Sequence, residues 1–224
     1  MKPRDASFFA RDADVVARAL LGDVLEATLP DGSTRRARIV ETEAYFGPPR
    51  ANAALARRRD HASAPWRRAV VAEGDAASHA FRGPTPRAGI MFGPPALAYV
   101  YIAYGMHACL NVVTGRAGDP QAVLVRAAEP LDGAPARAAS GPGRLARHLG
   151  VTRRLNGHAL DAPPLRVLAG EPPEAVAVSR RVGVAAAVDL PLRFADAASP
   201  AVTAFRPGGR RRKGFQPRAA SREA

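Results

Sequence analysis

The sequence predicts a mixed α/β (α+β) fold, a single domain of antiparallel strands with a few short helices. Seven β-prone runs are separated by Gly, Pro or Asp-Gly punctuation, whereas only two segments carry clear helical signals. Tight-turn signals join neighbouring runs into hairpins, which are antiparallel by construction. A hydrophobic fraction of 47% over 224 residues is enough for a buried core.

The first helix is expected over 12–21, where Val15, Val16, Ala19 and Leu20 recur at helical spacing. A strand at 23–29 runs into the hairpin signal Asp31-Gly32 and returns over 35–45. Gly47-Pro48-Pro49 ends that strand. The stretch 50–76 is rich in Ala and Arg and reads as an insertion, part helical or part disordered. It is expected to be a solvated surface loop rather than a dedicated binding arm. After Gly93-Pro94-Pro95 comes a strongly β-prone run at 97–104 with three tyrosines, a turn at Gly105, and a return at 108–114. An apolar strand follows at 121–128. Ser140-Gly141-Pro142 opens a helix at 140–149 that reads as capped. Two more strands are expected at 176–184 and 191–194. The domain is placed at 1–205, and 206–224 forms a basic tail, expected to be disordered and to add non-specific attraction for DNA.

Charge narrows the class of partner. Lys and Arg number 33 against 20 acidic residues, a net charge of +13. A balance of that sign points to a polyanion, with nucleic acid ahead of an anionic membrane because no basic amphipathic helix stands out. The single cysteine, Cys109, excludes an intrachain disulfide and fits a reducing, intracellular compartment. Residues 1–14 lack the apolar core of a signal peptide, and no apolar run is long enough to span a bilayer. The five histidines have no zinc-like spacing with Cys109, so no metal or other cofactor is expected. The chain is expected to act as a monomer.

Three groups of residues are candidates for chemistry. On strict strand alternation Glu41, Glu43 and Tyr45 share one face with Ala37 and Ile39. Two carboxylates on an apolar face are costly unless they are paired or belong to a site, and surface ion pairs at a strand end are the bland alternative. Arg126 shifts that balance, because an arginine inside the apolar strand Ala122-Val123-Leu124-Val125-Arg126-Ala127-Ala128 needs a carboxylate partner. Glu41 and Glu43 are the candidates for it. A purely structural pair stays open beside a pair that holds and activates a water. The third group is aromatic. Tyr99 and Tyr101 share a strand face, Tyr99 reading as packing, and Tyr104 sits at a hairpin tip. Tyr45 and Tyr101 could stack on an extruded base, and Tyr104 could wedge between base pairs.

These runs resemble a known family. Ile39-Val40-Glu41-Thr42-Glu43-Ala44-Tyr45 and Ser78-His79-Ala80-Phe81-Arg82-Gly83-Pro84-Thr85-Pro86-Arg87 are similar to stretches of the alkyladenine (3-methyladenine) DNA glycosylases. The similarity continues through Met91-Phe92-Gly93-Pro94-Pro95, Tyr99-Val100-Tyr101-Ile102-Ala103-Tyr104-Gly105-Met106-His107, Cys109-Leu110-Asn111-Val112-Val113 and Val123-Leu124-Val125-Arg126-Ala127-Ala128-Glu129-Pro130. Ser140-Gly141-Pro142-Gly143, Arg181-Val182-Gly183-Val184 and Pro191-Leu192-Arg193-Phe194 complete it, and only 50–76 and the tail depart from it. The resemblance implies a domain around a curved antiparallel sheet, with a hairpin projecting into the DNA minor groove. It implies Glu43 as the residue that activates water and Arg126 as its neighbour. Tyr45, His79 and Tyr101 are implied as walls of a base pocket, Asn111 as the residue that crowds the exocyclic amino group of guanine, and Tyr104 as the side chain that fills the gap left by a flipped nucleotide. The implied partner is double-stranded DNA containing alkylated purines.

Two rival classes arise from the same residues. A non-catalytic nucleic-acid-binding protein of this fold explains the charge and the aromatics but not Glu43 with Arg126. A metal-dependent nuclease has Glu41 and Glu43 but no convincing further ligand cluster, and a magnesium requirement would mark it. A lysine nucleophile is disfavoured, because Lys2 and Lys213 are the only lysines and lie outside every motif.

Overall fold

The computed structural model describes residues 1–51, 56–57 and 64–204. Among the described residues eight antiparallel strands curl into one sheet: β1 (Val24–Thr28), β2 (Thr34–Tyr45), β3 (Ala98–Ala103), β4 (His107–Thr114), β5 (Gln121–Pro130), β6 (Leu165–Leu168), β7 (Val176–Ser179) and β8 (Arg193–Asp196). The main path runs β3-β4-β5-β2-β1-β6. On one edge of the long β2, β1 pairs with Thr34 to Arg38 and β8 with Glu41 to Glu43. The other edge pairs with β5.

Among the described residues the sheet is accompanied by α1 (Ala6–Phe9), α2 (Ala13–Ala19), α3 (Pro65–Glu73) and α4 (Pro142–His148). In α2 the buried Ala13, Val16 and Ala17 pack with Ala37, Ile39, Ala44 and Phe46 of the β2 segment and with Val123 and Val125 of β5. That shared cluster is the core of the domain.

Most strands fall where the sequence places them, but the one expected over 176–184 ends at Ser179, helix α1 is not among the expected elements, and further details differ. The short strand β6 has no counterpart in the sequence reading. Helix α4 is capped by Gly141, not Ser140, and the cap makes no side-chain hydrogen bond. Ser140 instead bridges to Ala127 of the sheet. Within 50–76, α3 is docked on the domain and is not a solvated loop. Val70 is fully buried, Trp66 and Val71 pack on the core, and the Trp66 ring lies 6.0 Å from that of Phe46. Arg67 donates to Asp14 at 2.6 Å. Residues 52–55 and 58–63 of that stretch, and the basic tail, lie outside the described residues.

The decisive local feature is an irregularity in the β2–β5 ladder. Ile39 faces Ala128, Glu41 faces Ala127 and Thr42 faces Val125, so Val40 on one strand and Arg126 on the other are skipped. An unpaired residue of this kind shifts the side-chain alternation and re-aims the residues beyond it. Ala37 and Ile39 point into the core, and beyond the irregularity so do Thr42 and Ala44, with the Thr42 hydroxyl donating to the Ala17 carbonyl at 2.8 Å. Glu41, Glu43 and Tyr45 therefore face away from Ala37 and Ile39. Strict alternation along 37–45 is overturned because it assumes an unbroken ladder.

Candidate active site

On that opposite face Glu41, Glu43 and Arg126 converge, all buried. Arg126 Nε donates to Glu41 at 2.8 Å and lies 3.4 Å from Glu43, so the arginine has both of its expected partners. The two carboxylates differ in environment. Glu41 also accepts from Arg193 Nε at 2.7 Å, from the Thr203 amide at 2.7 Å and from the Thr203 hydroxyl at 2.8 Å. Burial alone would raise the Glu41 pKa, but Arg126, the Thr203 amide and Arg193 outweigh it and hold the pKa below the ordinary value. Glu41 is thus a fixed counter-ion for two buried guanidinium groups.

Glu43 accepts from the Val182 amide at 2.7 Å and from the Tyr45 hydroxyl at 2.8 Å. Here burial wins over Arg126, Val182 and Tyr45, and the carboxyl pKa lies above the ordinary value. A carboxylate held dry with a raised pKa is a stronger base than one in water. Of the pair, Glu43 is the one suited to take a proton.

Tyr45, Arg126 and Val182 each touch Glu43 and each line a cavity of about 520 Å³. His79, Tyr99, Tyr101 and Asn111 also line it. The His79 ring meets Tyr101 edge-on at 4.7 Å, and Tyr99 lies 5.6 Å from Tyr101. Tyr99 is more than packing, since its hydroxyl pairs with His79 Nδ1 at 2.8 Å. Burial pushes the Tyr99 hydroxyl up to about 12 and raises Tyr101 as well, so both phenols stay protonated. Burial, with Arg87 nearby, lowers the His79 pKa and favours the neutral ring. The Asn111 side chain is held by its amide, which donates to the Tyr99 carbonyl at 3.0 Å and the Cys109 carbonyl at 3.4 Å.

Tyr104 stands at the tip of the β3–β4 hairpin, 94% exposed, and Met106 beside it is 72% exposed. The turn closes with Met106 donating to the Ala103 carbonyl, and both Tyr104 (φ +52°) and Gly105 (φ +74°) are left-handed. That backbone suits glycine and costs a tyrosine roughly 1–2 kcal/mol. A large ring held in solvent on a strained turn, with no ring partner among the described residues, is what a wedge requires.

Besides Val182, four residues of the site are not among the sequence candidates. Arg193 and Thr203 complete the shell of Glu41 from 152 and 162 residues away. Arg181 and Asp75, both fully buried, form a bidentate pair at 2.6 and 2.8 Å. Asp75 also accepts from the Phe46 and Ala77 amides at 3.1 and 3.2 Å. Arg181 donates to the Ala44 carbonyl at 3.0 Å, and its guanidinium lies 4.5 Å over the Tyr45 ring. This pair clamps together the end of β2, the segment leading to His79 and the segment carrying Val182. Arg181 and Arg193 do lie within motifs of the family resemblance, which was the available signal. Asp75 and Thr203 carried none.

A buried carboxylate beneath a pocket of aromatic rings suits chemistry on an extruded nucleobase, the task of the DNA glycosylases as a class. Residues 7–200 match the family model of methylpurine-DNA glycosylase, and the chain belongs to that family. Relatives named "Putative 3-methyladenine DNA glycosylase" bear the match out. One from Anaeromyxobacter dehalogenans (strain 2CP-1) is 47% identical over 207 residues, covering 90% of this chain and 86% of its own. One from Myxococcus xanthus is 46% identical, covering 80% of each. One from Methanoculleus marisnigri is 41% identical, covering 84% of this chain and 92% of its own. No helix among the described residues is long and apolar enough to cross a membrane.

Proposed function

We propose that the protein hydrolyses the N-glycosidic bond of alkylated purines such as 3-methyladenine in double-stranded DNA, by base flipping and a water activated by Glu43. The observation that carries this reading is the raised-pKa carboxylate of Glu43, touched by Tyr45, Arg126 and Val182 where these line the aromatic cavity. A base stacked in duplex cannot reach such a cavity, so it must be extruded, at a cost of a few kcal/mol that is smaller for a damaged base. Tyr104 offsets part of that cost by filling the vacated stack. Tyr45, His79 and Tyr101 receive the base, and their π-faces favour the positive charge of an alkylated purine.

Glu43 takes a proton from water as the water oxygen bonds to the sugar C1′. The C1′–N bond breaks, and its electron pair leaves with the base. Arg126, anchored on Glu41, holds Glu43 in place, and the carboxylate charge stabilises the oxocarbenium-like transition state. Asn111 narrows the space beside the exocyclic position of a purine and so disfavours guanine. No lysine is assigned to the reaction. Lys2 lies beside the edge strand β6, its carbonyl accepting from Ala169, and Lys213 lies outside the described residues. The product is therefore an abasic site with its strand intact.

The test is incubation of lesion-containing duplex with the protein in EDTA, with free base measured. Release that persists in EDTA supports the reading. A requirement for magnesium points to a nuclease, and DNA binding without release points to a non-catalytic binding protein.

A further inference from the structure

A second polar site lies outside the cavity. Arg35, Arg137, Arg144, Arg147 and His148 line a groove of about 420 Å³, and none of its lining residues is acidic. Among the described residues Arg137, Arg144 and Arg147 form no ion pair. Arg35 is spent on a neutral partner, donating to the His148 carbonyl at 2.6 Å. His148 is more than nine-tenths buried, and its Nε2 has no hydrogen-bond partner. The nearest carboxylate, Asp132, stands 3.5 Å from that nitrogen and engages its other oxygen with the Ala134 amide. Four guanidinium groups repel one another around a shared space. That repulsion is relieved by an anion rich in acceptor oxygens.

Position identifies the anion. Helix α4 starts with Pro142 at the wall of the main cavity and carries Arg144, Arg147 and His148 away from it. Gly143 abuts His107 at the base of the β3–β4 hairpin, where an added Cβ would meet that side chain at 3.1 Å. From Pro142 to Arg147 the helix rises only about 7.5 Å. The groove therefore lies within the reach of one or two nucleotides from the wall of the cavity.

We propose that this groove is a phosphate clamp, which grips the DNA backbone one or two nucleotides from the extruded base and so fixes the register of the lesion over the cavity. The clamp rests on the glycosylase reading for its orientation, and its own test is the backbone. In the full-length protein, Arg144→Gln with Arg147→Gln should lower the slope of log affinity against log salt by between about 0.9 and 1.8, one or two lost phosphate contacts. Methylphosphonate substitutions placed singly around the lesion should weaken wild-type binding at one or two phosphates and leave this variant insensitive there. An unchanged slope together with an unchanged methylphosphonate pattern overturns the clamp. So does binding of inorganic phosphate that depends on Arg144 and Arg147 while the DNA slope is unaffected, because the groove then takes a free anion. Base release by the wild-type protein, measured on the same duplexes, separates the two readings. Wild-type release with no change in slope refutes the clamp alone, whereas absence of release refutes the glycosylase reading while the slope still tests the groove.

Discussion

Replacing Glu41 and Glu43 separately with glutamine should give opposite outcomes, although the residues are two positions apart on one strand. Glu41→Gln removes the charge that balances Arg126 and Arg193, whose side chains are only 9% and 7% exposed. Breaking a buried pair by neutralising one partner costs about 3–5 kcal/mol. At about 2–4 °C per kcal/mol for a domain of this size, melting should fall by roughly 6–20 °C. Glu43→Gln should not destabilise in this way. Its pKa is raised in the folded protein, so folding binds that proton more tightly and ionisation costs stability. The cost is absent below the unfolded pKa and complete above the folded one, so a neutral side chain at position 43 melts at or above wild type at neutral pH. Glu41, with a depressed pKa, has the reverse linkage. Its contribution is present above the unfolded pKa and is lost as pH falls through the folded value. Calorimetry with single-turnover base release on a 3-methyladenine duplex reads both properties. Glu43→Gln should melt normally and release no base while binding lesion DNA within a few fold of wild type. Glu41→Gln should melt early and retain activity in its folded fraction. A Glu41→Gln protein of wild-type stability, or one that is folded and inactive beside an active Glu43→Gln, would refute the division of labour.

Four further outcomes are expected. Release of a cationic lesion should rise with pH to a plateau, with an inflection above the ordinary carboxylate pKa of about 4.3; single-turnover rates between pH 4 and 8 check this, and a flat profile argues against Glu43 as the base. Tyr104→Ala should weaken capture in fully paired duplex far more than in a mismatch or single strand, with total DNA affinity little changed. Tyr104→Gly should share that defect yet gain roughly 1 kcal/mol of stability by relieving the left-handed backbone, and equal losses on all three substrates would show that the ring is no wedge. Asn111→Ala should raise release of guanine relative to adenine lesions at equal folded fraction, while freeing the Tyr99 carbonyl costs about 1–3 kcal/mol; an unchanged ratio would leave Asn111 only a strand-bracing role. Asp75→Asn should lower melting by the same roughly 6–20 °C as any half-broken buried pair and slow base release through the Val182 segment, and a rate that holds at equal folded fraction confines the clamp to stability.

The strands and the hairpin tip were legible in the sequence because alternation and turn chemistry are local. Gly32 and Gly105 take left-handed backbone without steric cost, and each turn closes a hairpin here. Arg126 in an apolar strand likewise announced its need for a carboxylate before any partner could be seen. The direction in which Glu41 and Glu43 face was not local. It is set by skipping Val40 and Arg126, an irregularity that exists only once β2 and β5 are paired. The unequal pKa values of the two glutamates were decided at the same level, because Arg193, Thr203 and Val182 reach them from 139 to 162 residues away. Sequence periodicity reports which face of a strand a residue occupies while the ladder is regular. It does not report which distant groups the completed fold brings to that face, and for a buried carboxylate those groups determine whether it serves as a counter-ion or as a base.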